Sequence, residues 1–485
     1  MTFKPIYPVV FSIFCVVTLS LMLLSAVEVS QEFSLLMPFC VMVGIAVIFF
    51  WKLNQDDRRL PISDVGSFYV LAILAYGALP LLGHWLSGME LTVLSHKRLY
   101  LANPSPEEFA SIGWLHVVFM IAFTIPYIYF RKANVFVENQ SLILSNNALK
   151  RLCVVFLLLE GYFVYLKIFA GIDFSTAYDS SLYDHAAKYG QLSIINQQFI
   201  AHPWGMLTVV KMALVVWLTS KWRSSLHRNI LLAVLTFIIL SYLQAPGGRY
   251  AIISIFLTVV IAYHQFIQPI KLGRATFYSI LLVAAFFAAN MYRGQDTSDI
   301  NLALSVMKEA SGGSGGLYSI ANEFQISYGS IIELKKNLEN SALGNIPWQV
   351  NFYDVLFVIP QQLLPFDKID PVVWYTQLTG NPDYFKYGVI CESMVGFGLI
   401  EIIIRGIVMG VFLAKIHNWF VNRANNFWVA LFYIWLSIVI YQSFRNTSMH
   451  FLPLFLFQWL PVFVLEMIFI NLFWRQHRSL TVKRF

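Results

Sequence analysis

The sequence predicts an all-α, polytopic membrane protein of about twelve transmembrane helices, and three observations lead there. Of its 485 residues, 58% are hydrophobic and only 12% are charged, too little charge to coat a soluble globule of this size. The apolar residues gather in stretches of about 17–25, long enough to cross a ~30 Å hydrocarbon layer. Forty-two Phe, 24 Tyr and 13 Trp suit lipid-facing helices with aromatic belts at their ends.

Taken in order, the expected spans are 7–27, 34–51, 66–84, 109–130, 152–170, 203–220, 229–243, 250–268, 275–292, 387–414, 427–443 and 450–473. The first has no clear small-residue cleavage site and is followed by further spans, so it is expected to stay as a helix. Only the turn from Gln244 to Tyr250 separates the seventh span from the eighth. Nineteen of the 33 Lys and Arg, from Lys4 through Arg58, Arg131, Lys221 and Lys271 to the tail, fall at alternate ends of the spans, mostly in short loops. By the excess of basic residues in cytoplasmic loops, those ends and both termini are expected in the cytoplasm.

The longest outer segment, 293–386, divides the chain. A bundle of about nine helices precedes it over 1–292, and about three helices with a basic tail follow over 387–485. The segment contains Ser311 to Gly316, a glycine-rich linker. Next comes an amphipathic stretch with Ile320, Phe324, Tyr328, Ile331, Leu334 and Leu338 on one helical face. Pro360, Pro365, Pro371 and the Gly380-Asn381-Pro382 turn close it. A loop this long is either functional or an inserted subdomain.

Several chemistries are excluded by what is missing. The four cysteines, Cys15, Cys40, Cys153 and Cys391, lie in apolar stretches and imply no disulfide framework. Zinc and P-loop motifs do not occur, and neither does D-x-D, so no metal or nucleotide cofactor is expected. Basic residues placed as topology signals argue against nucleic acid. Gly312 to Gly316 matches G-x-S-x-G, yet no strand precedes it and no helix clearly follows at the elbow.

The informative residues are arginines at outer helix ends, where basic residues are unexpected. Arg249 follows Gly247 and Gly248, Arg293 ends the ninth span, and Arg445 stands between the last two. Each is either an interfacial anchor or part of an anion site, since a guanidinium grips phosphate with two parallel hydrogen bonds. The two glycines would let the backbone approach an anion closely. Glu392 lies about five residues into the tenth span; it is either a general base or half of a structural salt bridge. Glu401 and Arg405, one turn apart deeper in that span, are expected to satisfy each other. Glu160, Lys167 and Lys211 are candidate partners across the fifth and sixth spans. His450, at the outer start of the last span, is either a second candidate base or an interfacial packing residue.

These features resemble the bacterial O-antigen polymerases, or oligosaccharide repeat-unit polymerases. The resemblance covers most of the chain and rests on three features: the Gly247-Gly248-Arg249 turn opening an apolar span, the long late outer loop, and the span with paired glycines from Glu392 to Gly398. The related O-antigen ligases place a functional histidine in or just after that loop; the loop here has none, which favours polymerase. The resemblance implies a multi-span, lipid-dependent (GT-C-like) glycosyltransferase of the bacterial inner membrane, serving lipopolysaccharide synthesis. It would join undecaprenyl-diphosphate-linked oligosaccharide units at the periplasmic face without metal. Arg249, Arg293 and Arg445, with Gly247 and Gly248, would hold the diphosphate, and Glu392 or His450 would take the acceptor proton. Implied partners are the lipid-linked oligosaccharide, membrane lipid and a chain-length regulator. The rival reading is a lipid-linked oligosaccharide flippase or other transporter, which would more often show repeated halves and broken helices.

Overall fold

The computed structural model describes residues 31–58, 60–86, 105–134, 146–169, 194–243, 248–271, 273–275, 315–340, 346–359, 361–371, 373–375 and 388–468. These are overwhelmingly helical, with no strand among them. In chain order the longer helices are α1 (Gln31–Asp57), α2 (Val65–Trp85), α3 (Pro106–Phe130), α4 (Asn146–Phe169), α5 (Ile194–Ser220) and α6 (Ser225–Leu243). They continue with α7 (Gly248–Phe266), α8 (Gly315–Glu339), α9 (Gly388–Val395), α10 (Leu399–Asn422), α11 (Phe427–Val439) and α12 (Phe451–Ile468).

Helices therefore stand where ten of the twelve spans are expected; 7–27 and, apart from its first residue, 275–292 lie outside the described residues. Among the described residues, five helical segments are long and apolar enough to cross a membrane: Ser34–Asp57, Val65–Trp85, Pro106–Phe130, Phe427–Phe444 and Phe451–Ile468. One expectation needs correction. The tenth span is not continuous, because three residues, 396–398, interrupt it between α9 and α10. Gly398 takes a left-handed φ of 63°, a conformation that ends helices and that glycine adopts without strain.

The chain forms two compact units. The first comprises Met1–Val135, Asn290–Val421 and Val439–Phe451. In it α3 begins with a capping box: Ser105 Oγ accepts the Glu108 N–H at 3.2 Å and Glu108 returns a bond to the Ser105 N–H at 2.9 Å. α10 approaches α3 at two glycines; a Cβ at Gly410 would stand 2.5 Å from the Phe123 carbonyl oxygen. α8 confirms the amphipathic pattern, with Tyr328, Ile331 and Leu334 buried. Its apolar face packs on α2 and α3: the Tyr328 ring stacks on His116 and Phe109, and its hydroxyl donates to the Gly77 carbonyl at 2.5 Å. Gly77 sits in a π turn, 74–78, that interrupts α2. Because α8 starts at Gly315, a helix directly follows Ser314, so the linker is shorter than its composition suggests.

The second unit comprises Phe136–Ala289, Asn422–Ile438 and Leu452–Phe485. Val215, Leu218, Leu231 and Ile255 pack together at the centre of α5, α6 and α7. Lys211 on α5 meets Glu160 on α4 at 2.9 Å, the partnership expected across the fifth and sixth spans; the side chain of Lys167 lies outside the described residues. Arg151 holds Glu466 through Nε at 2.9 Å and Nη2 at 2.5 Å. Aromatic rings of α11 and α12, Trp428, Phe432, Phe455, Trp459 and Phe463, stack and cross edge to face.

Candidate functional site

The site is built on α9 and the segment 440–450, both in the first unit. Gly388 opens α9 with φ 58°, directly under the 440–444 turn; a Cβ there would stand 2.7 Å from the Phe444 carbonyl oxygen. Backbone angle and crowding both require glycine. This docking buries Glu392, the fifth residue of α9, to 1% exposure.

Both Glu392 oxygens are engaged. Oε1 lies 3.1 Å from Arg405 Nη1, and Oε2 accepts the Ser448 backbone N–H at 2.8 Å. Arg405 then reaches Glu401 Oε1 through Nη2 at 2.5 Å and Nε at 2.7 Å, and Nη1 donates to Ser448 Oγ at 2.5 Å. Glu401 Oε2 accepts the Phe397 N–H at 2.8 Å, inside the break. One guanidinium thus ties together the helix before the break, the helix after it and the 445–450 segment. The expected Glu401–Arg405 pair is present. Arg405 as a partner of Glu392 was not foreseen, because the sequence places it almost four turns away along an unbroken span. Ser448 gave no signal in the sequence at all.

His450 is half-buried where α12 begins, and its N–H donates to the Thr447 carbonyl at 3.2 Å. Burial pushes its imidazole down from 6.5 to about 4, while the nearby Asp370 carboxylate partly opposes that shift. The ring is therefore neutral at neutral pH. Arg445 caps the 440–444 turn, its N–H bonded to the Gln442 carbonyl at 3.0 Å. The structure thus gathers the segments bearing Glu392, Arg445 and His450. Gly248 and Arg249 are the first residues of α7, in the second unit. Gly247 and Arg293 lie outside the described residues, as does the side chain of Arg249. No His, Cys, Asp or Glu cluster among the described residues could hold a metal ion.

A second polar cluster, missed in the sequence, occupies the ends of α1, α3 and α10 that are expected inside. Arg131, 2% exposed, donates to Asp57 and reaches Asp64 Oδ2 at 2.8 Å. Asp64 Oδ1 also accepts the Tyr127 hydroxyl at 2.7 Å, and Asp57 Oδ1 accepts the Asn134 N–H at 2.7 Å. His417 lies 3.3 Å from Asp64 Oδ2. Burial alone would raise the Asp64 carboxyl, but Arg131, His417 and Tyr127 outweigh it and hold the group below its ordinary range. Arg131 counts among the basic residues read as loop signals, yet it is a buried counter-ion. The signal that could have found the cluster is a pair of acidic residues, Asp57 and Asp64, in a loop otherwise marked by arginines.

Long apolar helices, with Ile400, Ile404 and Val408 exposed in one stripe along α10, define an all-α, membrane-embedded protein. Comparison with known families, characterised proteins and solved structures finds no match.

Proposed function

We propose that this protein is an O-antigen-type polysaccharide polymerase, joining undecaprenyl-diphosphate-linked oligosaccharides at the periplasmic face of the bacterial inner membrane through about twelve spans. The observation that carries the reading is the Glu392–Ser448 bond. It draws a carboxylate helix onto the six-residue segment that bears Arg445 and His450. In this scheme the bond from the donor's anomeric carbon to its diphosphate breaks while the acceptor hydroxyl oxygen bonds that carbon. The proton passes to neutral His450, with Asp370 nearby as its counter-charge. The diphosphate departs onto arginines, Arg445 first, which stabilise it as a metal would elsewhere. Glu392, with both oxygens engaged, positions rather than reacts.

A strain deleted for the gene is expected to show lipopolysaccharide core carrying a single repeat unit, restored to long ladders by the wild-type chain but not by His450→Ala. Core with no repeat at all would instead mark a flippase or a ligase. The flippase reading has one specific observation behind it, the break at 396–398 with charged partners on either side, since broken helices serve many transporters.

The shifted histidine sets a pH expectation. Its neutral form persists down to about pH 4, so the acid limb of kcat/KM should fall near there rather than near 6.5. Stability runs the other way. Between 6.5 and about 4 the unfolded imidazole binds a proton that the folded one does not, so the fold weakens as pH falls through that window. Thermal melts of purified protein should show the loss, and His450→Gln should remove it.

A further inference from the structure

We infer that the seam between α3 and α10 holds the hydrocarbon chain of a polyprenyl diphosphate, with the lipid's head beside Lys335; the identity of that lipid rests on the polymerase reading above. The helices run side by side in the same direction. A Cβ at Gly406 would stand 2.7 Å from Ala122 Cβ near mid-seam. Near the far end, Asn418 Nδ2 donates to the Phe130 carbonyl at 2.7 Å. Close approach of the backbones leaves a trough along their outer flank.

The main part of that trough, about 620 Å³, is walled by Val118, Ile121, Ile125, Ile403, Ile407 and Val411 and has no charged side chain in its wall. A second space of about 290 Å³ lies at the break end, among Ser111, Leu115, Met394, Gly398 and Lys335. From Ser111 to Phe130 the seam covers ~28 Å of helix, close to the ~30 Å hydrocarbon thickness. Its walls ask for a single apolar chain, and Lys335 lines the space at the break end.

At the break end the Lys335 ammonium is 43% exposed and its Glu339 partner stands off at 3.8 Å. An anionic head can displace so loose a contact. Gly398 has open space where a Cβ would stand, so the break leaves room for that head. Met394 in the wall follows Glu392 by two residues on α9. A head seated here lies at the end of the helix that carries the candidate site. The seam therefore supplies a side entrance through which a membrane-dissolved substrate reaches the site without leaving the bilayer.

The test uses the full chain in phosphatidylcholine nanodiscs containing radiolabelled polyprenyl diphosphate. A photo-crosslinking benzoylphenylalanine is placed at position 407 in the seam, or at 47, where Val47 is 61% exposed on α1. Position 407 should take polyprenyl label well above 47. Lys335→Glu should cut that label about fivefold or more, the scale of reversing one basic contact at a membrane surface, without changing phosphatidylcholine labelling at 47. Phosphatidylcholine alone at 407, equal label at both positions, or indifference to Lys335→Glu would overturn the inference. The readings fail separately. Label at 407 from a chain that makes no polymer in cells refutes the polymerase alone; a polymer-making chain with no label at 407 refutes the seam alone.

Discussion

Glu392→Gln is expected to reduce long-chain polymer by roughly a hundredfold, the scale of a reacting group misplaced by about 1 Å, while the protein remains inserted. The amide can still accept the Ser448 N–H, but its NH₂ then faces Arg405 Nη1, positive against positive, where the Oε1 carboxylate now stands 3.1 Å away. The 445–450 segment shifts, and His450 with it. Arg405→Lys should reproduce the defect, because an ammonium cannot span Glu392, Glu401 and the Ser448 hydroxyl as the guanidinium does. Since the two substitutions break one clamp, the double variant should be little worse than either alone. Gel ladders of lipopolysaccharide, read against immunoblots of membrane protein, give the measurement. Full ladders from a well-inserted Glu392→Gln chain would remove Glu392 from the site, and additive losses would break the link to Arg405.

Arg131→Met should be the most damaging single change to stability. It leaves Asp57 and Asp64, both buried, without the guanidinium they share. Breaking a buried ion pair by removing one partner costs about 3–5 kcal/mol. Low membrane yield and a depressed thermal midpoint in detergent are expected, with partial recovery in Arg131→Met/Asp64→Asn, where one stranded charge is gone. The Asp64 contribution is present above the ordinary carboxyl value of 3.8 and is lost as pH falls through its lower folded value. Between pH 8 and 5 it should therefore leave stability flat. A melting point unchanged in Arg131→Met would show the cluster to be dispensable.

Much of the helical layout was legible in the sequence. Ten expected spans coincide with helices, because long apolar runs and periodic faces such as Phe324–Tyr328–Ile331 report local energetics directly. Glu392, Glu401 and Arg405 also announced themselves, since charge inside an apolar stretch is costly and must be answered.

What the sequence by itself determined, then, is the all-α membrane class, the face of α8 that is buried, and which charges need partners. Only the tertiary structure decided who those partners are. Arg405 serves Glu392 and Glu401 together because Gly398 breaks the span between them. Ser448 enters because Gly388 admits the 440–444 turn. Arg131, read as a loop charge, became a buried counter-ion to carboxylates 67 and 74 residues away in the chain. Hydropathy and helical period are sums over neighbours in sequence, whereas ion pairs depend on distances that only packing sets.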